Sequence, residues 1–310
     1  MSASLSADRR HAMLRTAMGP AIAAAMADPR VIEIMVNPDG ALRIDVLGEG
    51  RVDTDVRLAP EQVERIIRLV ASHARAEVHG EAPIVSAELP PHLEGRAGER
   101  FEGVLPPVAT GPCFSIRKPA ERLYTLDDYV ADGLMSAAAA NQLRAAVTQR
   151  FNILVAGGTS SGKTTLANAL LAELAWVDAR VVLIEDTREL QSPAPDTVAL
   201  RTRPGVVTMT DLVRSTLRLR PDRIIVGELR GPEAYTFLRA VNTGHPGSMT
   251  TVHADSAERA IEQIALLVLQ TGTRLGRDDV HHYVRSTVDV FVQLARSGGR
   301  RHVAEVLLAR

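Results

Sequence analysis

The run Gly157-Gly158-Thr159-Ser160-Ser161-Gly162-Lys163-Thr164-Thr165 brings pliant glycines, a cation and several hydroxyls into one short stretch of chain. It meets in full the pattern of a glycine, four free positions and then Gly-Lys-Ser/Thr that marks a phosphate-binding loop. The residue types follow from the chemistry. Gly157 and Gly162 let the loop curl so that the N–H groups of Gly158, Thr159, Ser160 and Ser161 can point inward, and a helix opening near Thr164 and Thr165 adds partial positive charge where a phosphate would sit. Lys163 is predicted to put a point charge on the β- and γ-phosphates of ATP. The Thr164 hydroxyl is predicted to ligate Mg²⁺, a hard cation that takes oxygen donors and keeps several waters.

Such a loop needs acids at the ends of neighbouring strands, to hold Mg²⁺ through water and to orient the water that attacks. Leu183-Ile184-Glu185-Asp186 and Ile224-Ile225-Val226-Gly227-Glu228 each close an apolar run with an acid. An acid just past a buried strand is commonly a solvated loop residue, but two of them beside a phosphate loop favour catalysis. Glu185 is assigned as the base and Glu228 as the Mg²⁺-holding acid; Glu189 is a helper or a surface charge. In Gly244-His245-Pro246-Gly247-Ser248-Met249-Thr250-Thr251-Val252-His253-Ala254, a strand is bracketed by two histidines. His253 at its far end is expected to face the γ-phosphate and sense hydrolysis. Further ligands at suitable spacing are missing, so it does not read as a metal ligand.

The elements that must hold these groups are legible from periodicity. From position 136 short apolar stretches at 152–156, 181–184, 223–226 and 248–252 alternate with helical patterns, which implies an α/β fold with a mainly parallel sheet between helices. Segments 288–294 and 302–308, joined through Ser297-Gly298-Gly299, read as a terminal antiparallel hairpin on one sheet edge. Residues 1–118 read as a smaller α+β domain. Leu14, Met18, Ile22 and Met26 recur every four residues as on an amphipathic helix, interrupted by Pro20. Segments 31–36 and 42–46 flank the turn Asn37-Pro38-Asp39-Gly40, and a helix from Pro60 keeps Val63, Ile66, Ile67 and Val70 on one face. Short strands follow near 83–87, 101–105 and 113–117. Residues 119–135 are expected to be a linker, with the hinge at 121–133, ahead of a catalytic domain at 136–310.

Bulk properties narrow the class. The 310 residues are 45% hydrophobic and 24% charged, as in a soluble globular protein, and suffice for two domains of ordinary size. The net charge of −1, from 36 basic and 37 acidic residues, supplies no global field for a polyanion, so direct nucleic-acid binding is not expected. Cys113, the one cysteine, fits a reducing compartment and excludes a cysteine-rich metal module. No apolar run approaches the ~20 residues that span a bilayer.

Together these blocks resemble the type II/type IV secretion ATPase superfamily, most closely its conjugal-transfer, Trb-type branch. Residues 157–165 match its Walker A motif and Ile184-Glu185-Asp186-Thr187-Arg188-Glu189 its Asp box. Residues 217–230, with Arg220-Pro221-Asp222-Arg223 and Glu228, match its Walker B region, and 244–254 its His box. Glu33-Ile34-Met35-Val36-Asn37-Pro38 and Phe114-Ser115-Ile116-Arg117 resemble the family's sensor-like N-domain. The resemblance implies a RecA-like P-loop NTPase domain behind a PAS-like N-terminal domain, and a homo-hexameric ring. It further implies a cytoplasmic location, peripheral on the inner membrane, with other type IV secretion and mating-pair components as partners. It also implies that Arg100 and Arg117 reach the bound phosphates, a task that suits guanidinium forks. Relatives often carry glycine where this chain has Ser160. A tetracysteine module frequent in type II relatives cannot be built here, which favours the type IV branch. A pilus or type II secretion motor shares the fold and the chemistry and stays open. A DNA-stimulated RecA-like motor would show a steep salt dependence. The retained Glu185 and Glu228 argue against a scaffold that binds nucleotide without hydrolysing it.

Overall fold

The computed structural model describes residues 2–90, 98–119, 123–297 and 300–309, which fall into two compact units, Met1–Glu121 and Arg122–Arg310. The first unit opens with helix α1 (Ser2–Ala27), kinked where Gly19 leaves helical geometry ahead of Pro20. Proline removes a helical hydrogen bond and crowds the preceding turn, which accounts for the break. Leu14, Met18, Ile22 and Met26 are buried, as their four-residue spacing predicts. Strands β1 (Val31–Val36), β2 (Ala41–Val46) and β3 (Gly50–Arg57) form a meander, followed by helix α2 (Pro60–Ala74) and strands β4 (Ile84–Glu88), β5 (Arg100–Val104) and β6 (Cys113–Arg117). Among the described residues they make one antiparallel sheet of six strands, ordered β3-β2-β1-β6-β5-β4. Val63, Ile66, Ile67 and Val70 of α2 are at most 1% exposed and pack on this sheet with α1. Burial of such a side chain contributes about 1.5–3 kcal/mol, which fixes the helix to the sheet more firmly than its intrinsic propensity does.

The second unit begins earlier than the sequence suggests. Much of the stretch expected to be a linker is helix α3 (Leu126–Ala131), opened by a capping box in which Thr125 and Asp128 bond each other's backbone N–H groups. Leu126 and Tyr129 are buried in the core of the second unit. Two anchored side chains and a cap fix 125–131 to the second unit, where the sequence suggests a connector; residues 120–122 of the expected connector lie outside the described residues.

Beyond α3 come α4 (Ala137–Thr148), β7 (Ile153–Gly157), α5 (Lys163–Ala172), β8 (Arg180–Glu185), β9 (Asp196–Arg201), α6 (Met209–Thr216), β10 (Arg223–Val226), α7 (Glu233–Asn242), β11 (Met249–Val252), α8 (Ala257–Leu269), α9 (Arg277–Thr287), β12 (Val290–Ser297) and β13 (Arg300–Leu308). Among the described residues the sheet has seven strands in the order β13-β12-β7-β11-β10-β8-β9. Every pairing is parallel except β12 with β13, the antiparallel hairpin at the edge. Strand β7 shows why its neighbours are apolar runs: Ile153 and Val155 join one core with α3, α4 and α5, whereas Leu154 and Ala156 join the other with α7, α8 and α9. With both faces covered, a strand has no polar face to show. Among the described residues, no helix is long and apolar enough to cross a membrane.

Candidate phosphate-binding and catalytic site

Parallel strands end on the same edge of a sheet, so β7, β11, β10 and β8 deliver Gly157, His253, Glu228 and Glu185 to one rim in that spatial order. The chain leaves β7 at Gly157, loops through Ser161 and enters α5 at Lys163. Gly162 has φ +95°, a backbone that side chains rarely tolerate, and its two helix-forming neighbours follow directly. Ser160 also lies in the left-handed region, at φ +57°. Glycine would sit there without the ~1–2 kcal/mol that an L side chain costs. The Ser161 hydroxyl is buried with no hydrogen-bond partner among the described residues. A buried donor left over in this way is the condition of a group reserved for a ligand.

Gly157 is required by contact instead. A Cβ there would run into Ser161 Oγ and stand 3.1 Å from Leu294 Cβ. Gly157→Ala is therefore expected to destabilise the protein by about 1–3 kcal/mol, as overpacking does, and to weaken nucleotide binding because Ser161 must move. Denaturant unfolding and ATP titration of the variant check both; unchanged values would show that the loop yields freely.

Lys163 is nearly buried, and its ammonium donates to Gly157 O at 3.0 Å, Gly158 O at 3.2 Å and His253 Nδ1 at 3.1 Å. An ammonium has no lone pair to offer, so Nδ1 must accept and the imidazole proton belongs on Nε2. That nitrogen lies 2.8 Å from Glu228 Oε1, close but not aligned as a hydrogen bond. Burial lowers the His253 pKa, with Lys163 and Arg230 adding to the effect and Glu228 opposing it. The neutral tautomer is thus favoured on both counts. The other Glu228 oxygen accepts from Arg230 Nη2 at 2.6 Å, and Arg230 also approaches Asp186 at 3.7 Å. One connected chain of polar contacts, Lys163, the neutral His253, Glu228, Arg230 and Asp186, therefore crosses the rim.

A second branch comes from the segment after β8. The Thr164 hydroxyl donates to Glu189 Oε2 at 3.1 Å, and Asn168 of α5 clamps the same segment by bonding Glu189 O and Gln191 N. Glu185 itself is 5% exposed, and its Oε1 accepts from the N–H groups of Glu189 at 2.9 Å and Leu190 at 2.8 Å. Burial pushes its carboxyl up to about 7, against the opposing pull of those two bonds. Glu189, left open by the sequence as helper or surface charge, is thus tied to the phosphate loop through Thr164.

Arg100 and Arg117 stand directly opposite each other on β5 and β6 of the first unit, with Glu33 across from Arg117 on the other side. Two groups near the rim escape sequence reasoning. Gln293 of β12, opposite Ala156, is buried and donates to Ala254 O beside His253. Arg301 of β13 passes beside Gly162, its Cδ 3.6 Å from where a Cβ would stand. Only a polar residue inside an otherwise apolar strand pattern could have flagged Gln293.

Comparison with known proteins identifies the family. Residues 51–304 match the family described as Type II/IV secretion system protein. A conjugal transfer protein TrbB of Rhizobium radiobacter is 44% identical over 95% of this chain and 88% of its own length. A type IV secretion system protein VirB11 of Bartonella henselae is 34% identical over 96% and 94%. Among solved structures, the VirB11 ATPase of Brucella suis in complex with sulphate is 33% identical with a TM-score of 0.52, covering 98% of this chain and 96% of that one. The two-domain α/β architecture with a RecA-like second unit, expected from the motifs, is the one these relatives share.

Proposed function

Since the chain belongs to the type II/IV secretion system protein family, we propose that it is the Mg²⁺-dependent, P-loop ATPase of a conjugative type IV secretion system, working as a homo-hexameric ring. The ring would stand at the cytoplasmic face of the inner membrane beside other components of the apparatus. One observation carries the chemical part: a phosphate-loop lysine and threonine are each bonded to a side chain at the strand-end rim, Lys163 to His253 and Thr164 to Glu189. The kinship with TrbB and VirB11 proteins supports the conjugative part.

In this reading Gly158, Thr159, Ser160, Ser161 and Gly162 wrap the phosphates with their N–H groups, and Lys163 neutralises the charge developing on the γ-phosphoryl group. The donor set fits magnesium. Thr164 Oγ1 and Glu189 Oε2 are hard oxygens 3.1 Å apart, with Glu228 on the neighbouring strand end. A cation that takes one or two protein oxygens and completes its shell with phosphate and water needs no larger cage. Bound there, it would supply positive charge to offset that of the phosphate group. Glu185 accepts a proton from the attacking water, His253 registers the charge at its Nε2 edge as phosphate leaves, and Arg100 and Arg117 contribute phosphate-binding guanidinium groups.

The test couples mass to turnover. Purified protein is sized by light scattering with and without ATP and Mg²⁺, while phosphate release is followed in the same samples. A hexamer with slow, magnesium-dependent release is expected. A monomer that releases no phosphate under all conditions would remove the motor reading, and strong stimulation by DNA would reassign the ring to nucleic-acid translocation.

A further inference from the structure

In the 290–294 run of β12, Gln293 is the one polar residue, and it is 5% exposed among buried apolar neighbours. Its Nε2 donates to Leu294 O at 2.9 Å and to Ala254 O at 3.2 Å, while its Oε1 is buried and accepts no hydrogen bond from the described residues. An unpaired buried acceptor costs stability that an apolar side chain of the same size would not. Packing therefore gives a poor account of the amide, and the bond to Ala254 is what it adds.

Strand register shows how that bond is made. Ala156 of β7 pairs with Gln293 on one side and with Val252 of β11 on the other, so the three share a row across the sheet. The small Ala156 side chain leaves the amide room to cross β7 and reach the chain just past the end of β11. That chain carries His253. The imidazole is 45% exposed, so surrounding groups do not wedge it in place. Its direction is set by the backbone on either side: Val252 lies in the ladder with β7, and Ala254 packs against the core that α8 shares and is held by Gln293 through its carbonyl.

Strand β11 is pinned to β10 as well, the Thr251 hydroxyl donating to Gly227 O at 2.8 Å and Leu229 N to Thr251 O at 3.0 Å. Those two ties bracket Glu228. The 2.8 Å approach of His253 Nε2 to Glu228 Oε1, which no aligned hydrogen bond maintains, is thus held from the backbone. Lys163 restrains the other ring nitrogen, but its ammonium is also the charge that a γ-phosphate draws on. The Gln293 tie is the restraint that a bound nucleotide leaves in place.

We propose that Gln293 is a positioning residue for ATP hydrolysis: by crossing β7 to hold the Ala254 carbonyl, it keeps the His253 imidazole aimed at Lys163 and Glu228. It acts through His253 and is not itself a catalytic residue. The proposal rests on the ATPase reading above and deepens it, because it assigns what holds the histidine of that site.

The test is a double-mutant cycle on phosphate release. The kcat and the KM for Mg²⁺–ATP are measured for the wild type, Gln293→Met, His253→Ala and the double variant, with thermal unfolding as the check on folding. Methionine keeps the length of glutamine and removes the amide, and Gln293→Leu takes its place should methionine not fold. Gln293→Met is expected to lose about tenfold in kcat, the effect of a slightly misplaced group, with KM within about twofold of the wild type. In the His253→Ala background the same change is expected to cost less than about twofold, because the group it positions is gone. Turnover of Gln293→Met within about twofold of the wild type overturns the proposal, as does an equal loss in both backgrounds or a His253→Ala protein as fast as the wild type. Any of these beside an active wild type overturns this inference alone. A wild type without magnesium-dependent phosphate release removes the ATPase reading and the positioning role with it.

Discussion

Lys163→Ala is expected to lose at least about two to three orders of magnitude in ATP turnover, the effect of deleting one preorganised donor to a developing oxyanion. The loss has two sources in the geometry. The ammonium donates to Gly157 O and Gly158 O, so it also holds the loop's first turn in place. Its third bond, to His253 Nδ1, fixes the imidazole tautomer whose Nε2 edge faces Glu228. Alanine would leave two loop carbonyls and one ring nitrogen short of a donor in a partly buried site, each at a cost of about 1–3 kcal/mol where water cannot replace it. Lys163→Met, which keeps the stem and removes the charge, separates the contributions: it should match alanine in turnover and recover part of its stability. Phosphate release and denaturant unfolding are the measurements. Turnover within twofold of the wild type in both variants would show that Lys163 serves only the loop.

How far the sequence anticipates this site depends on how local each signal is. The phosphate loop is legible because its glycines, lysine and threonine are adjacent in the chain and bounded by a strand and a helix. Glu185, Glu228 and His253 are legible for a less direct reason. Each ends an apolar strand, and parallel strands present their ends on one rim, so chain position becomes spatial position once the fold class is known. That logic stops where position depends on how a segment folds back. The bond from Thr164 to Glu189 requires the chain after β8 to cross to α5, which Asn168 secures through two backbone bonds. Nothing periodic in the sequence announces it. Arg301 is brought to Gly162 only by the register of β12 and β13 against β7.

The elements that escape notice have the same explanation. Strands β3 and β9 are sheet edges with no buried residue, so Gly50–Arg57 and Asp196–Arg201 mix charge with apolar residues and lack the buried-strand pattern. Helix α3 is too short to show a helical period, and its identity is carried by the Thr125–Asp128 cap and by Leu126 and Tyr129 reaching a core supplied by distant residues.

Glu185→Gln is expected to slow turnover by about two to four orders of magnitude, the range of a general base, and at the same time to stabilise the protein above neutral pH. The two effects share one cause. Burial pushes the Glu185 carboxyl up to about 7, so the folded protein binds a proton between the ordinary carboxylate range and neutrality that the unfolded chain releases. Stability contributed by this group therefore falls as pH rises from about 4.5 to about 7 and stays low above that, by a few kcal/mol at most for a shift of this size. Glutamine is neutral throughout, and its Oε1 can still accept from Glu189 N and Leu190 N. The stability gain of the variant should thus be largest at pH 8 and vanish near pH 5, where wild-type Glu185 is itself protonated. The catalytic limb runs the other way: water activation needs the ionised carboxylate, so wild-type kcat/KM should fall about tenfold per unit below pH 7. Urea unfolding of both proteins between pH 5 and 8, beside the pH–rate profile, measures the pair of trends. A variant that is slow but no more stable at pH 8 would mean that Glu185 ionises at ordinary acidity; one that is stable and active would pass the role of base to Glu189, which bonds Thr164 from the next turn of the same segment.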